Sequence, residues 1–156
     1  MESTENDIPR ELTEIVAKHT VCYEVYAHER MVRDTRVKTS FDLELYGTHR
    51  YGETRLSPGC GVCRDTYDDL KRIALWIMPK DERPSVYEIL PFDAALHEST
   101  KRNLRPEVLL TIRIRHRVGL DQPIDACEER CLDEMRARLA LLGVRQGGSV
   151  RRASVA

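Results

Sequence analysis

A four-residue pattern that occurs twice constrains the fold of this chain more than any other feature. His49-Arg50-Tyr51-Gly52 follows one predicted strand, and His116-Arg117-Val118-Gly119 follows another. Cys60 lies eight residues after the first glycine, and Cys127 lies eight residues after the second. Duplication of one supersecondary unit is the economical explanation, and the two copies should fold together because neither could bury its apolar face alone.

Hydrophobic periodicity predicts a strand-strand-helix order in each copy, preceded by a helix. Strict alternation of apolar residues indicates strands, whereas apolar residues three and four apart indicate helices. The predicted elements are a helix near 8–19, strands at 21–32 and 37–46, a helix that ends at Pro79, a polar linker at 80–84, strands at 85–90 and 107–118, and a helix from Asp121 to Gly143. Residues 91–106 are predicted to be irregular or partly helical.

These elements predict one α+β domain over residues 1–144, with halves at about 20–79 and 84–143. Its two ββα units should form a four-stranded, mainly antiparallel sheet with the helices packed on one face, related by a pseudo-twofold axis. Asp42 and Glu44 alternate with apolar residues, so the other face of the sheet is expected to be wet. Residues 145–156 lack apolar periodicity and are predicted to form a disordered tail. Within this tail, residues 151–154 fit the preference of basophilic kinases.

Composition excludes several classes of protein. Hydrophobic residues make up 41% of the chain, which is enough for one core, and the net charge of −1 gives no field that would steer it to nucleic acid or to a membrane. No apolar run approaches the roughly 18 residues of a membrane span. The first residues do not resemble a secretory signal, and five cysteines is an odd number. These features favour a cytoplasmic protein with reduced thiols.

The strongest chemical motif is Pro58-Gly59-Cys60-Gly61-Val62-Cys63, a C-x-x-C in a glycine-rich turn before a helix. A metal knuckle needs small residues in such a turn, because backbone amides must face the thiolates. Zinc is the ion that this knuckle would hold. A structural zinc site needs four ligands, of which the motif supplies two.

Two further ligands could come from the ends of the first hairpin. His49 ends the strand that leads into the glycine-rich loop, and a hairpin turn near Asp34 would bring residues 19–22 opposite it. The predicted metal ligands are Cys60, Cys63, His49 and Cys22, with His19 as the alternative to Cys22. A pooled site with Cys127 and Cys131 requires both helix starts to meet, and their spacing on an apolar helix face favours core packing.

The same cysteine pair also supports redox chemistry, since a helix N-terminus favours a thiolate. Cys60-Gly61-Val62-Cys63 before a helix resembles the active-site stretch of thioredoxins over a short segment. The resemblance implies reversible disulfide formation between Cys60 and Cys63. The βαβ order that surrounds the motif in thioredoxins is absent from the predicted elements.

Arg113, Arg115 and Arg117 line one face of a predicted strand and form a candidate interaction face. They could grip phosphate or an RNA backbone on an open sheet. Cross-strand ion pairs with Asp42 and Glu44 are favoured, because a pseudo-twofold axis would make the two strands neighbours. An exposed sheet edge would also allow two copies to pair as a homodimer.

The leading hypothesis is a small, non-enzymatic binding or regulatory domain with a structural metal at the C-x-x-C. One alternative is a thiol–disulfide or redox-sensing protein that uses Cys60 and Cys63. Another is a nucleic-acid or protein-interaction module that uses the arginine-rich strand. The sequence has no catalytic motif of the hydrolase, metalloprotease or phosphate-loop type.

Overall fold

The computed structural model describes residues 8–49, 56–79, 85–104, 106–119 and 121–147. Within these ranges the chain forms four helices and five strands, which confirms the α+β class and the N-terminal helix. The elements are α1 (Arg10–His19), β1 (Cys22–Val32), β2 (Thr35–Thr48), α2 (Gly61–Ile77), β3 (Ser85–Ile89), α3 (Phe92–Lys101), β4 (Glu107–His116), α4 (Ala126–Leu141) and β5 (Arg145–Gln146). The predicted linker at 80–84 and the kinase-like segment lie outside the described residues.

The sheet has five strands and is mixed, so the predicted four-stranded antiparallel sheet needs correction. Its order is β3-β4-β2-β1-β5, and β5 pairs with β1 in parallel whereas the other pairs are antiparallel. Gly143 follows α4 with φ of 82°, a conformation that glycine adopts without strain. Buried Val144 then leads the chain to β1. Arg145 and Gln146, which were expected to open a disordered tail, therefore form an edge strand.

The central pair of strands is the one that two ββα units related by a twofold axis would form. β2 and β4 run antiparallel at the centre, with β1 and β3 outside them. Two features break a simple repeat: α3 separates β3 from β4, and β5 has no counterpart in the first half. The last helix also begins later than expected, because Asp125 rather than Asp121 is its N-cap.

The main core lies between one face of the sheet and helices α1, α2 and α4, and Phe92, Ala95 and Leu96 of α3 also belong to it. Leu43 pairs with Ile112 and Leu45 pairs with Leu110, and all four side chains are fully buried. Gly47 continues this face and lets α2 approach closely, since a methyl group there would lie 3.1 Å from the Leu70 side chain. The close approach brings the start of α2 to the end of β2.

The opposite face of the sheet is not wet, contrary to the expectation from alternation. Asp42 and Glu44 are only 6% and 2% exposed. Arg113 binds Asp42 through Nε to Oδ1 at 2.8 Å, and Arg102 binds both oxygens of Glu44 at 2.8 and 2.9 Å. The arginine side chains bury the carboxylates because their long apolar stems cover the sheet while their guanidinium groups satisfy the charges. None of the helices in the described part of the chain is long and apolar enough to cross a membrane.

Candidate functional site

Three of the four predicted metal ligands come together where β2 ends and α2 begins. His49 directly follows β2, and its backbone N–H donates to the Pro106 carbonyl at 2.9 Å. Cys60 is the N-cap of α2, and Cys63 occupies the N3 position of the same helix. One ligand atom from each of the three residues lies within 4.8 Å of the other two. Zn–S bonds of about 2.3 Å and Zn–N bonds of about 2.0–2.1 Å place tetrahedral ligand atoms about 3.6–3.8 Å apart, so the three side chains would close by up to about 1 Å around an ion.

His49 is the unusual member of this cluster, because its imidazole is buried without hydrogen bonds. The residue is 1% exposed, and among the described residues neither Nδ1 nor Nε2 has a hydrogen-bond partner. A buried polar atom that lacks a partner costs about 1–3 kcal/mol of stability. An ion bound to one ring nitrogen would remove that cost at one of the two atoms.

The two cysteines differ in exposure, and both lie at the N-terminus of α2, where the helix dipole is positive. Cys63 is fully buried, whereas Cys60 is partly exposed. The Cys63 backbone N–H donates to Cys60 Sγ at 3.3 Å, so the sulfur replaces the oxygen that usually caps a helix. Unpaired N–H groups and the dipole of a 17-residue helix favour negative charge at this position. The arrangement therefore suits thiolates, which are the form that binds metals.

Cys22 is not brought to the cluster, because it pairs with Tyr46, which lies about 10 Å before His49 along β2, and it faces away from the helices. The turn at Arg33 and Asp34 pairs Val32 with Thr35. If the strands kept this register along the whole hairpin, Cys22 would lie opposite Leu45, on the face of the sheet that the helices cover. Instead the register shifts between His28 and Glu29, and Cys22 pairs with Tyr46. A one-residue shift moves a side chain to the other face of a sheet. Cys22 consequently packs with a small second cluster, which contains Tyr46, Leu104 and Leu109.

His19, the alternative ligand, lies nearby but has other partners. Its Nε2 is 2.8 Å from Asp69 Oδ2, and its Nδ1 is 3.0 Å from the Thr48 carbonyl oxygen. Both ring nitrogens are engaged, so His19 links α1 to α2 and β2 as a satisfied core residue.

The pooled four-cysteine site does not form, because the two helix starts lie at opposite ends of the sheet. His49 lies beside the start of β4 and His116 is its last residue. At about 3.3 Å per residue these positions are roughly 30 Å apart. Cys131 is fully buried in α4, as core packing predicted, and Cys127 contacts Arg130 on the surface.

A second cluster, which the sequence analysis missed, occupies the equivalent position in the other half. His116 ends β4, Asp125 is the N-cap of α4 and Glu128 is at N3, again with ligand atoms within 4.8 Å of one another. Aligning the two halves on their helix starts rather than on their glycines would have matched Cys60 with Asp125 and Cys63 with Glu128. The capping pattern of Asp125 and Glu128 was the available signal.

Burial and mutual contact separate the acidities of the two carboxyl groups. Glu128 is 0% exposed, and burial is the largest cause that raises its pKa, with the Asp125 charge acting in the same direction. Contact with the Glu128 side chain, followed by the hydrogen bond from the Glu128 backbone N–H, is the largest cause that lowers the pKa of Asp125.

The arginine-rich strand is largely occupied by internal partners. Arg113 binds Asp42, and Arg115 forms an ion pair with Glu88 on β3. The pairing of Arg113 with Asp42 follows the register of β2 and β4 and matches the expected cross-strand pair. Arg117 is exposed and lines a shallow cleft of about 200 Å³ with His116. This face therefore offers little free positive charge.

No protein-family model, curated protein or solved structure matches this chain at a significant level. The two clusters at the helix starts are therefore the features of the molecule that bear on its function.

Proposed function

We propose that the protein is a small metal-binding domain that holds zinc through Cys60, Cys63 and His49. The single observation that carries this proposal is the buried imidazole of His49, which faces two cysteine sulfurs and has no hydrogen-bond partner among the described residues. Thiolate and imidazole ligands are the combination that zinc prefers in proteins.

The bound ion would act as a structural clamp. It would tie the end of β2 to the first turn of α2, and so fix the loop between them. Because an unfolded chain does not present the three ligands together, the binding free energy would add directly to the stability of the fold. A binding or regulatory domain could use such a clamp to hold one surface rigid.

The fourth coordination position distinguishes two kinds of zinc site. Within the described ranges no fourth His, Cys, Asp or Glu has its ligand atom within 4.8 Å of all three. Water or an exogenous ligand would then complete the tetrahedron, as in sites that keep one position open. Spectra of the cobalt-substituted protein with and without added anions would detect an exchangeable ligand.

Elemental analysis of protein purified without affinity metal tests the proposal. We expect about one zinc ion per chain, and its loss in Cys63→Ser and in His49→Ala. Cys127→Ser is the matched control, because this cysteine lies at the other helix start and belongs to neither cluster. Equal zinc content in all four proteins would refute the assignment.

A redox dithiol is the second candidate, and the geometry of Cys60 favours it. Cys60 is partly exposed at the helix N-cap, and Cys63 is buried behind it, which suits one attacking and one resolving thiol. In such a step the two thiols would lose two electrons and two protons to a low-molecular-weight disulfide, which becomes two thiols. This function leaves the buried His49 unexplained. Reversible loss of two thiols in zinc-free protein, with no zinc after purification, would favour it over the metal site.

Three further expectations stand as proposals. Duplication is supported by the central pairing of β2 with β4 and by the matching clusters. A homodimer could form along the outer edge of β1, since among the described residues β5 covers that edge at Cys22 and Tyr23 alone. A cytoplasmic location fits five free cysteines.

Nucleic-acid binding has less support, because Arg113 and Arg115 are paired within the chain.

A further inference from the structure

The cluster at the start of α4 has more negative charge than its neighbours neutralise. Asp125 and Glu128 approach each other there, and in the described part of the chain no Lys or Arg forms an ion pair with either carboxylate. Among the described residues, three of the four other buried carboxylates (Asp42, Glu44 and Asp69) each pair with an arginine. Of the basic side chains that the structure describes, His116 is the one at the two carboxylates, with its Nε2 3.9 Å from Asp125 Oδ2 and 3.9 Å from Glu128 Oε1.

Helix capping explains only part of this arrangement. The Asp125 backbone N–H donates to Glu128 Oε1 at 3.1 Å, and Asp125 Oδ1 accepts from the N–H groups of Cys127 and Glu128. These contacts form a complete capping box. They leave Asp125 Oδ2 beside the imidazole and leave Glu128 Oε2 buried with no hydrogen-bond partner among the described residues. A carboxylate that is fully buried and half unsatisfied needs a further partner.

We propose that His116, Asp125 and Glu128 form a second cation site, which takes a divalent first-row ion such as Mn²⁺ through one imidazole nitrogen and two carboxylates. Ligand atoms that each bind one ion at about 2.1 Å lie about 3.0 Å apart in adjacent octahedral positions and about 4.2 Å apart in opposite ones. The two 3.9 Å separations lie within this range, and they would shorten by up to about 0.9 Å where His116 and a carboxylate occupy adjacent positions. One nitrogen and two carboxylates suit harder ions than the thiolates of the first site do. The cleft beside His116 leaves room for water ligands.

Binding would require one local change, which provides a second reporter. The Val118 backbone N–H donates to His116 Nδ1 at 3.1 Å, so the ring proton resides on Nε2. A cation on Nε2 moves that proton to Nδ1, and the Val118 N–H must then turn away. Val118 is exposed and Gly119 follows it, so this bend can rotate without disturbing the core.

Titration of the zinc-loaded protein with Mn²⁺, followed by electron paramagnetic resonance of the free ion, tests the site. Wild type should bind about one equivalent, and Glu128→Gln should weaken binding at least about 10-fold. Glutamine at N3 still accepts the hydrogen bond of the capping box, so the variant should keep its fold. Glu129→Gln is the matched control, because it removes a neighbouring, exposed charge outside the cluster, and it should change the affinity less than about 2-fold.

Two results would overturn the proposal: no binding of Mn²⁺ by wild type, or equal binding by wild type and Glu128→Gln. If Glu128→Gln does not fold, Asp125→Ser decides the question in the same way, since serine keeps the N-cap oxygen but removes the carboxylate. The site shares no residue with the Cys60 cluster. Cys60→Ser should therefore bind Mn²⁺ as wild type does, whichever outcome the zinc experiment gives.

The backbone amide of Val118 provides a second measurement. In wild type, its hydrogen should exchange with solvent faster when a diamagnetic divalent ion is bound at this site. In Glu128→Gln the exchange rate should not change.

Discussion

At the start of α2 the N-cap and N3 positions hold thiols, and at the start of α4 the same two positions hold carboxyl groups. In both halves a histidine from the end of the preceding strand faces the pair. The common geometry comes from the ββα order, which returns each helix to the end of its own strand. The connecting loops differ in length, since His49 precedes Cys60 by 11 positions and His116 precedes Asp125 by nine. The side chains also differ, and similar helix starts can therefore present soft thiols or hard carboxylates.

The two histidines sharpen the contrast. His49 is buried and lacks hydrogen-bond partners among the described residues, whereas His116 is partly exposed and accepts from Val118 N–H. Thiols are weak hydrogen-bond partners, and carboxylates can interact with an imidazole directly. On the proposed function, the thiol cluster would therefore gain more stability from a bound ion than the carboxylate cluster would, because a proton can occupy the same place between the carboxyl groups and the imidazole.

Removal of zinc should give the largest effect. A ligand present at about 1,000 times its dissociation constant contributes about 4 kcal/mol, and 1 kcal/mol shifts the melting temperature of a domain this size by about 2–4 °C. We therefore expect a chelator to lower the melting temperature of the wild type by about 10 °C, measured by circular dichroism. Cys63→Ser should melt near the chelated wild type and should not respond to the chelator. A wild-type melting temperature that the chelator leaves unchanged would remove the proposed difference between the halves.

Conversion of the second helix start into a copy of the first should transfer its metal preference. The double variant Asp125→Cys with Glu128→Cys would present two thiolates and His116 in the geometry of the first cluster. We expect it to bind a second zinc ion, at least about 10-fold more tightly than the wild type does at this position, measured by competition with a zinc indicator. Asp125→Cys with Glu129→Cys is the control, because the second thiol then lies outside the cluster. Equal zinc binding by both double variants would show that the shared geometry is not what selects the ion.

The contact between His28 and Asp42 provides an internal reference, because no metal ion is proposed at this histidine–carboxylate pair. His28 Nε2 lies 2.8 Å from Asp42 Oδ2, and Arg113 completes the charge balance. Burial alone would raise the pKa of Asp42, but the hydrogen bonds from Arg113 and His28 hold that pKa below its ordinary value. Its contribution to stability is therefore present above the unfolded pKa and is lost as the pH falls through the lower folded pKa.

Asp42→Asn should accordingly cost about 1–3 kcal/mol at pH 7, measured by urea unfolding, and the difference from wild type should shrink below about pH 4. Added zinc or manganese should not change this difference. If added zinc or manganese did change this difference in stability, metal would act at the contact of Asp42 with His28 as well. That contact could then not serve as the metal-free reference.

The smallest expected effect distinguishes the role of Asp125 and Cys60 as helix N-caps from their proposed role as metal ligands. In zinc-free protein, Asp125→Ala should cost about 1 kcal/mol, because it removes an oxygen that accepts two backbone N–H groups. Cys60→Ser should be neutral or slightly stabilising under the same conditions, since serine is a better N-cap than cysteine. The chemical denaturation midpoints of both variants would measure this. A large loss in zinc-free Cys60→Ser would show that Cys60 is kept for a structural role in the apo fold.

Sequence patterns predicted the elements well and the faces of the sheet less well. Apolar alternation located β2 and β4, and periodicity located α1, α2 and α4 within a few residues. Alternation also predicted that Asp42 and Glu44 would be exposed. It failed there because Arg102, which reaches Glu44 from the end of α3, is 58 residues away along the chain. Contacts over that distance leave no periodic signal.

Two parts of this protein were determined by the sequence itself. The α+β class follows from the period of its apolar residues, and the cysteine pair at a helix start follows from local turn and capping preferences. Both depend on residues within one or two turns of each other, so neighbouring residues carry the information.

Only the tertiary structure decided which side chains share a site. A single bulge between His28 and Glu29 moved Cys22 to the face opposite the helices, and the antiparallel pairing of β2 with β4 separated the two helix starts. Because side chains in a strand alternate with a period of two, a shift of one residue reverses every face. Membership of a site therefore depends on register, which the whole sheet fixes.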